Sequence, residues 1–173
     1  DSKGDVLGVG HSQDRSLSVR MLACEDVSIN DVFWQKRIND AAQCREDLHI
    51  FKSGHTDAFR LVHGEGDQLP GLIIDIYGEV AVLQAHSIGM HKARQSIANA
   101  LMQMKAFDIK AVFCKSHDAL PSSYSSDVAD EWLTSPYEKS IIVSEGGIKF
   151  MIDVVSGQKT GFFLDQRENR ALT

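Results

Sequence analysis

Hydrophobic positions along this chain keep more than one rhythm. Near the start, two short apolar pieces at residues 6–9 and 17–22 flank the polar stretch 10–15, a pattern that predicts two strands and their connection. Two strands are marginal in water on their own, so they are expected to be the remnant of a small β-barrel. From Ser28 or Asn30, either a suitable N-cap, a helix is predicted to about Leu48. Its apolar side would carry Ile29, Val32, Phe33, Ala41 and Leu48, with Lys36, Arg37, Asp40 and Arg45 in water.

From Ala58 the period shortens. Residues 59–63, 72–76 and 80–85 read as strands, separated by Gly64-Glu65-Gly66-Asp67 and Tyr77-Gly78-Glu79. A helix is predicted over 89–105, where Ala93, Ile97, Ala100, Leu101 and Met104 recur at helical spacing, and residues 109–115 return to a strand. Residues 116–139, with Pro121, Pro136 and serines between, read as an insertion loop carrying a short helix near 128–133. Residues 141–144 and 148–152 around Glu145-Gly146-Gly147 predict a hairpin, since glycines tolerate the positive φ of a tight turn. The fold class is therefore α+β. Its centre would be a strand-strand-helix-strand-strand sheet with one extra lead-in strand and one helix packed on it.

Composition narrows the function. At 173 residues with 43% apolar and 24% charged positions, the chain can bury an ordinary core as one domain with an appendage, or as two small ones. No apolar stretch reaches the roughly 18 residues a membrane span needs. Three scattered cysteines, Cys24, Cys44 and Cys114, fit a reducing cytoplasm better than a disulfide framework. A net charge of −6 argues against a general nucleic-acid binder, although 18 Lys and Arg still leave room for a local basic strip.

Chemistry-bearing residue types concentrate in the closing run Gly157-Gln158-Lys159-Thr160-Gly161-Phe162-Phe163-Leu164-Asp165-Gln166-Arg167-Glu168-Asn169-Arg170. Two glycines let backbone approach a ligand closely, and one of two adjacent Phe rings would face a neighbouring surface. Asp165 with Glu168 three residues on reads as a variant capping box, so a helix is expected to begin there and to offer its positive end to an anion. Lys159 and Arg167 would reinforce that charge. On residue types alone, a plain strand-to-helix connection with both Phe in the core is the competing reading. A second candidate is His63-Gly64-Glu65-Gly66-Asp67, which reads mainly as a structural turn because no second His stands at metal-ligand spacing. None of the cysteines has flanks that suggest an activated thiol. Val6-Leu7-Gly8-Val9-Gly10 lacks the third glycine of a dinucleotide fingerprint. No catalytic residue and no metal site is assigned in the chain.

The closing run resembles the GQKTGFFLDQRxNR signature of RlmI-type S-adenosylmethionine-dependent cytosine-5 methyltransferases of 23S rRNA. A second stretch agrees in order and distance: Arg60-Leu61-Val62-His63-Gly64-Glu65-Gly66-Asp67, then Leu69-Pro70-Gly71-Leu72-Ile73, Asp75, Tyr77 and Gly78. It departs from the family's usual Gly at Gln68 and Arg at Ile76. Residues 15–45 resemble, more loosely, the end of the family's PUA module and the helix after it. The resemblance implies four parts: residues 1–28 as the end of a PUA-like β module, 29–50 as a linking helix, 51–155 as the α+β domain, and 156–173 as the truncated start of a methyltransferase domain. It further implies that S-adenosylmethionine, bound only by the full-length protein, meets Lys159, Thr160, Phe162, Asp165, Gln166 and Arg167. The transfer itself, with its catalytic cysteine, would belong to a Rossmann-like domain absent from this sequence, leaving the fragment inactive. As a part of that enzyme, or in a second reading as a self-standing RNA-binding module, the piece would set Arg15, Arg20, Lys36, Arg37, Lys52, Arg60 and His63 against rRNA. A third reading is a dimerisation element exposing a sheet edge or an apolar face.

Overall fold

The computed structural model describes residues 2–13, 19–51 and 55–172. The centre is a five-stranded sheet in the order β3-β4-β5-β6-β7. Its strands are β3 (Ala58–His63), β4 (Leu72–Tyr77), β5 (Val80–Ala85), β6 (Ala111–Cys114) and β7 (Glu131–Trp132). Neighbours are antiparallel except β5 and β6, which run parallel. A parallel pair needs a crossover, here α2 (Ile88–Lys92) and α3 (Arg94–Met102). The single helix predicted over this stretch is in fact broken at Ala93.

Helix α1 (Asp31–Asp47) starts as its sequence dictates: the Asn30 carboxamide oxygen accepts the Phe33 N–H at 3.1 Å. Its buried face differs from the expected one. Trp34, Ile38, Ala41 and Ala42 form the i, i+4, i+7, i+8 stripe in the core, whereas Val32 and Leu48 stay 70% and 65% exposed. Nor does Arg45 face water. Its guanidinium closes on Asp67, with both side chains largely buried.

Three further expectations are corrected. The insertion holds its helical turn, α4, at Ser122–Ser125, and residues 131–132 are strand β7. Trp132 settles there because its ring packs on Phe113 with centroids 4.9 Å apart. The hairpin of β8 (Ile141–Glu145) and β9 (Ile148–Ile152) pairs as read, but it forms a separate two-stranded sheet. It meets the central sheet through one backbone bridge, Thr56 to Glu145, and through side-chain packing. Near the N-terminus β1 (Val9–Ser12) pairs with β2 (Val19–Ala23), later in the chain than predicted, and Val6 and Leu7 are exposed. This pair docks where the His11 ring lies on Gly89, at a distance so short that a Cβ there would fall 2.2 Å from the ring.

Alternation along the central strands splits the core in two. Leu72, Ile74, Ile76, Leu83 and Val112 face α1 and α3, while Tyr77, Val80, Val82 and Phe113 face the β8–β9 hairpin. Among the described residues no helix is long and apolar enough to cross a membrane.

Candidate functional site

The two stretches singled out in the sequence meet in space. A cleft of about 850 Å³ lies between the C-terminal half of α1, β3, the 63–67 loop and the closing run. Its lining includes Arg45, Phe59, Arg60, His63 and Asp67 on one side and Lys159, Phe162, Leu164, Asp165 and Arg167 on the other.

The loop wall is a 3-10 turn, Gly64–Asp67, closed by Gln68 in the left-handed region at φ 57°. Asp67 fixes it by accepting the His63 N–H at 2.6 Å and receiving Arg45 Nη2 at 2.7 Å. Arg45 also donates its Nε to the Arg60 carbonyl at 3.1 Å, tying α1 to the strand that leads into the loop. The His63 side chain is left exposed.

The opposite wall begins with a tight turn. Asp153 accepts the N–H groups of Val155 and Ser156 on its carboxylate, and the Gly157 N–H on its carbonyl at 3.0 Å. Gly157 is obligatory here, because a Cβ would sit 2.2 Å from that carbonyl oxygen. Lys115 donates to the carbonyls of Val154 and Gly157 from below. Lys159 takes φ 52°, pairs with Asp165 at 2.7 Å and lies 4.5 Å over the Phe163 ring. That pairing holds the Asp165 carboxyl down to about 2. Asp165 therefore does not cap a helix. A 3-10 turn at Leu164–Gln166 leads into α5 (Arg167–Ala171) with no side-chain cap, and a five-residue helix offers no anion site of its own.

Thr160, expected at the cofactor, is 2% exposed and engaged with Tyr77 and Asp75. It offers no free surface to a ligand in this conformation. Phe162 packs on Phe150 with ring centroids 5.1 Å apart, and the Arg170 guanidinium lies 4.3 Å over the Phe162 ring. Gln166 is exposed and bonds Asp165 and Asn169. Arg167 donates to the Ala58 carbonyl at 2.6 Å and to Glu145 at 3.3 Å. Glu145, nearly buried, also takes a fork from Arg170 at 2.7 and 2.9 Å, and this contact holds its carboxyl below the ordinary range.

The residues assigned to RNA gather only in part: Arg20 and His63 share a small hollow of about 270 Å³ beside the 63–67 loop. Arg60 and His63 line the cleft. Arg20 and Arg37 line a separate hollow of about 690 Å³ between β2 and α1. There Arg37 is committed to the Leu22 carbonyl and Gln68. Lys36 is exposed and paired with Asp40. Arg15 and Lys52 lie outside the described residues.

Sequence reasoning missed Glu145 and Lys115, and it carried Asp75 and Tyr77 only as positions of a motif. The signal for Asp75 was present, as a lone carboxylate in the apolar run Leu72–Tyr77. Cys24 and Cys44 are exposed, and Cys44 lines the cleft. Burial pushes the Cys114 thiol up. Among the described residues no three His, Cys, Asp or Glu side chains gather to hold a metal ion.

No protein-family profile matches the chain. Ribosomal RNA large subunit methyltransferase I of Pseudoalteromonas atlantica is 36% identical over 96% of this chain, and that of Alteromonas mediterranea is 36% identical over 99%. The chain is homologous to the large-subunit rRNA methyltransferases I. It spans 42% and 43% of the length of those two relatives. Among solved structures, a candidate SAM-dependent methyltransferase from Streptococcus mutans superposes with a TM-score of 0.73 at 23% identity, over 95% of this chain and 41% of its own. A second candidate methyltransferase, complexed with SAH, gives 0.74 at 22% identity over 95% of this chain and 40% of its own. At that identity the likeness establishes a shared mixed α+β fold.

Proposed function

We propose that this chain is the RNA-positioning part and the leading cofactor wall of an S-adenosylmethionine-dependent methyltransferase that modifies cytosine C5 in large-subunit rRNA. The observation that carries the reading is the cleft. It brings the closing run against the 63–67 loop, nearly a hundred residues earlier, in a chain homologous to named rRNA methyltransferases. In the same reading, residues 1–28 end a PUA-like module, 29–50 link it, 51–155 form the central domain, and 156–173 open the methyltransferase domain. The enzyme would act on rRNA in the cytoplasm.

The residues fit S-adenosylmethionine as one wall of a site. Lys159 and Arg167 bring cations to the cleft for the cofactor carboxylate, and Asp165 brings an acceptor. Phe162 lines the cleft, with the Arg170 guanidinium 4.3 Å over its ring. Bound, S-adenosylmethionine supplies the electrophilic methyl group. Arg60 is already oriented, since Nε and Nη2 are held by Asp75 at 2.8 and 3.0 Å. Its Nη1 has no partner among the described residues and can receive a phosphate oxygen at the cleft mouth. Activation of cytosine needs a thiolate at C6. Cys114 is buried, and neither Cys24 nor Cys44 has a hydrogen-bonded base beside it among the described residues. That thiol belongs elsewhere in a polypeptide of the relatives' full length.

Isothermal titration tests the reading: S-adenosylmethionine should bind a polypeptide of the relatives' full length that includes this sequence, and not the 173 residues alone. The longer protein should convert cytidine to 5-methylcytidine in large-subunit rRNA, read by mass spectrometry. Methylation at another base would overturn the C5 assignment, and absence of cofactor binding by the longer protein would overturn the whole. A non-catalytic dimerisation role is favoured by one feature, the cross-strand pair Ile142 and Met151, 55% and 79% exposed on the hairpin. Light scattering showing a monomer at high concentration would remove it.

A further inference from the structure

Three buried side chains beneath the cleft and one at its lining, Arg60, form one hydrogen-bonded chain. Arg60 donates Nε and Nη2 to the two oxygens of Asp75, and Thr160 donates its hydroxyl to Asp75 Oδ2 at 2.6 Å. A threonine has one proton to give. The Tyr77 hydroxyl, 2.7 Å from Thr160, is therefore the donor in that contact. Asp75 and Tyr77 are 0% exposed, and Asp75 is separated from Thr160 by 85 residues. The order is Tyr77 to Thr160 to Asp75, with Arg60 arriving from the other side. One carboxylate thus touches both walls of the cleft.

The backbone around Thr160 shows why the closing run needs such an anchor. Lys159 stands at φ 52° and Gly161 at φ 130°, so Thr160 lies between two residues in positive-φ conformations. A non-glycine residue held there costs energy unless its surroundings fix it. The fixed point is the Thr160 hydroxyl. It decides where Lys159 and Phe162 enter the cleft, because both are within two residues of it.

We infer that Asp75 is a positioning residue for both walls, setting the cofactor side through Thr160 and the RNA side through Arg60. The inference rests on the function proposed above. Asp75 touches neither ligand; it orders the groups that do. Removing the negative charge while keeping the shape, as in Asp75→Asn, leaves Arg60 without its bidentate partner and Thr160 with a weaker acceptor.

The test uses the longer polypeptide that includes this sequence, with steady-state kinetics, RNA binding and hydrogen–deuterium exchange on the same variants. Thr160→Val should raise KM for S-adenosylmethionine about tenfold, with kcat held within about twofold and RNA affinity unchanged. Thr160→Ser, which keeps the hydroxyl, should restore KM. Arg60→Ala should weaken RNA about tenfold with KM for the cofactor unchanged. Asp75→Asn should show both defects together. In exchange, Thr160→Val should speed the amides of 158–166 while those of β4 and β5 keep their protection. Equal loss of kcat across all variants, or unchanged KM and RNA affinity in folded Asp75→Asn, would overturn the inference. If the parent protein bound no S-adenosylmethionine, the functional reading would fall instead. The positioning claim would then be decided by whether Thr160→Val loosens 158–166 selectively.

Discussion

The two faces of the central sheet are covered by different physics. Against α1 and α3 the face is mainly aliphatic, with Leu61, Leu72, Ile74 and Leu83 of the sheet and Ile97 and Leu101 of α3 all at 0% exposure. The opposite face meets a thin hairpin and the closing run, and it buries Thr56, Asp75, Glu145 and Thr160 among apolar neighbours. Burial of an aliphatic side chain contributes about 1.5–3 kcal/mol without regard to direction. A satisfied buried hydrogen bond nets only about 1 kcal/mol, but its loss leaves a stranded polar group. The helical face therefore makes the sheet stable, and the polar face decides where the cleft walls stand. Mutations should separate the two.

The largest effect is expected on the helical face. Leu83→Ala deletes a fully buried side chain from the middle of β5 and should cost about 3 kcal/mol. Urea denaturation would read this as a lower midpoint with an unchanged slope, and cofactor affinity should be unaffected below the new midpoint. Next is Arg45→Ala, which strands Asp67 under the loop wall, where its carboxylate is 7% exposed. Breaking a buried pair costs about 3–5 kcal/mol in full burial. At the edge of an open cleft, about 2 kcal/mol is expected, together with loss of exchange protection at the His63 amide that Asp67 holds.

These contrasts also mark what a reader of the sequence could have known. Strands β3, β4, β5, β8 and β9 were legible within a residue or so, because alternation and glycine turns bound them locally. The α1 face was not, since Val32 and Phe33 fit a helical stripe as well as Trp34 and Ile38 do, and only the docked sheet chooses between them. Strand β7 is two residues long, too short for any period, and exists through Trp132 on Phe113. Chemistry in the closing run was visible from residue types. Its contacts were not, because Arg167 reaches the Ala58 carbonyl across 109 residues of chain. Thr160 was read as facing a ligand, and its hydroxyl meets a buried carboxylate instead: a hydroxyl in a polar run gives no sign of which it will face.

A subtler break is Glu145→Gln on the polar face. Arg170 and then Arg167 hold the Glu145 carboxyl below its ordinary value of 4.5. A depressed folded-state value means that the ionised form is favoured by folding. The contribution is complete above the unfolded value and is lost as pH falls through the folded one. Glu145→Gln should therefore cost about 1 kcal/mol at neutral pH, and its gap from the parent should close as the pH falls below about 4.5. Exchange protection in α5 should fall at neutral pH while β4 and β5 hold theirs. A gap that persists unchanged well into acid would mean that packing, and not charge, fastens the run.

The smallest effect tests whether burial, and not the mere pairing of charges, gives the ionic contacts their strength. Lys36 and Asp40 on α1 form an i, i+4 pair at 2.9 Å, with side chains 71% and 55% exposed. Nine residues further along the same helix, Arg45 makes its own pair inside the protein. In water the Coulomb gain of an exposed pair is largely offset by ordering two long side chains, and salt screens what remains. Lys36→Ala should change stability by less than about 0.5 kcal/mol, and alanine's higher helix propensity offsets part of that. Denaturation in low and high salt should find the Lys36→Ala difference vanishing with salt and the Arg45→Ala difference persisting. Equal sensitivity of both variants to salt would mean that Arg45 and Asp67 are solvated in solution, and that the loop wall is held by the chain's turn geometry alone.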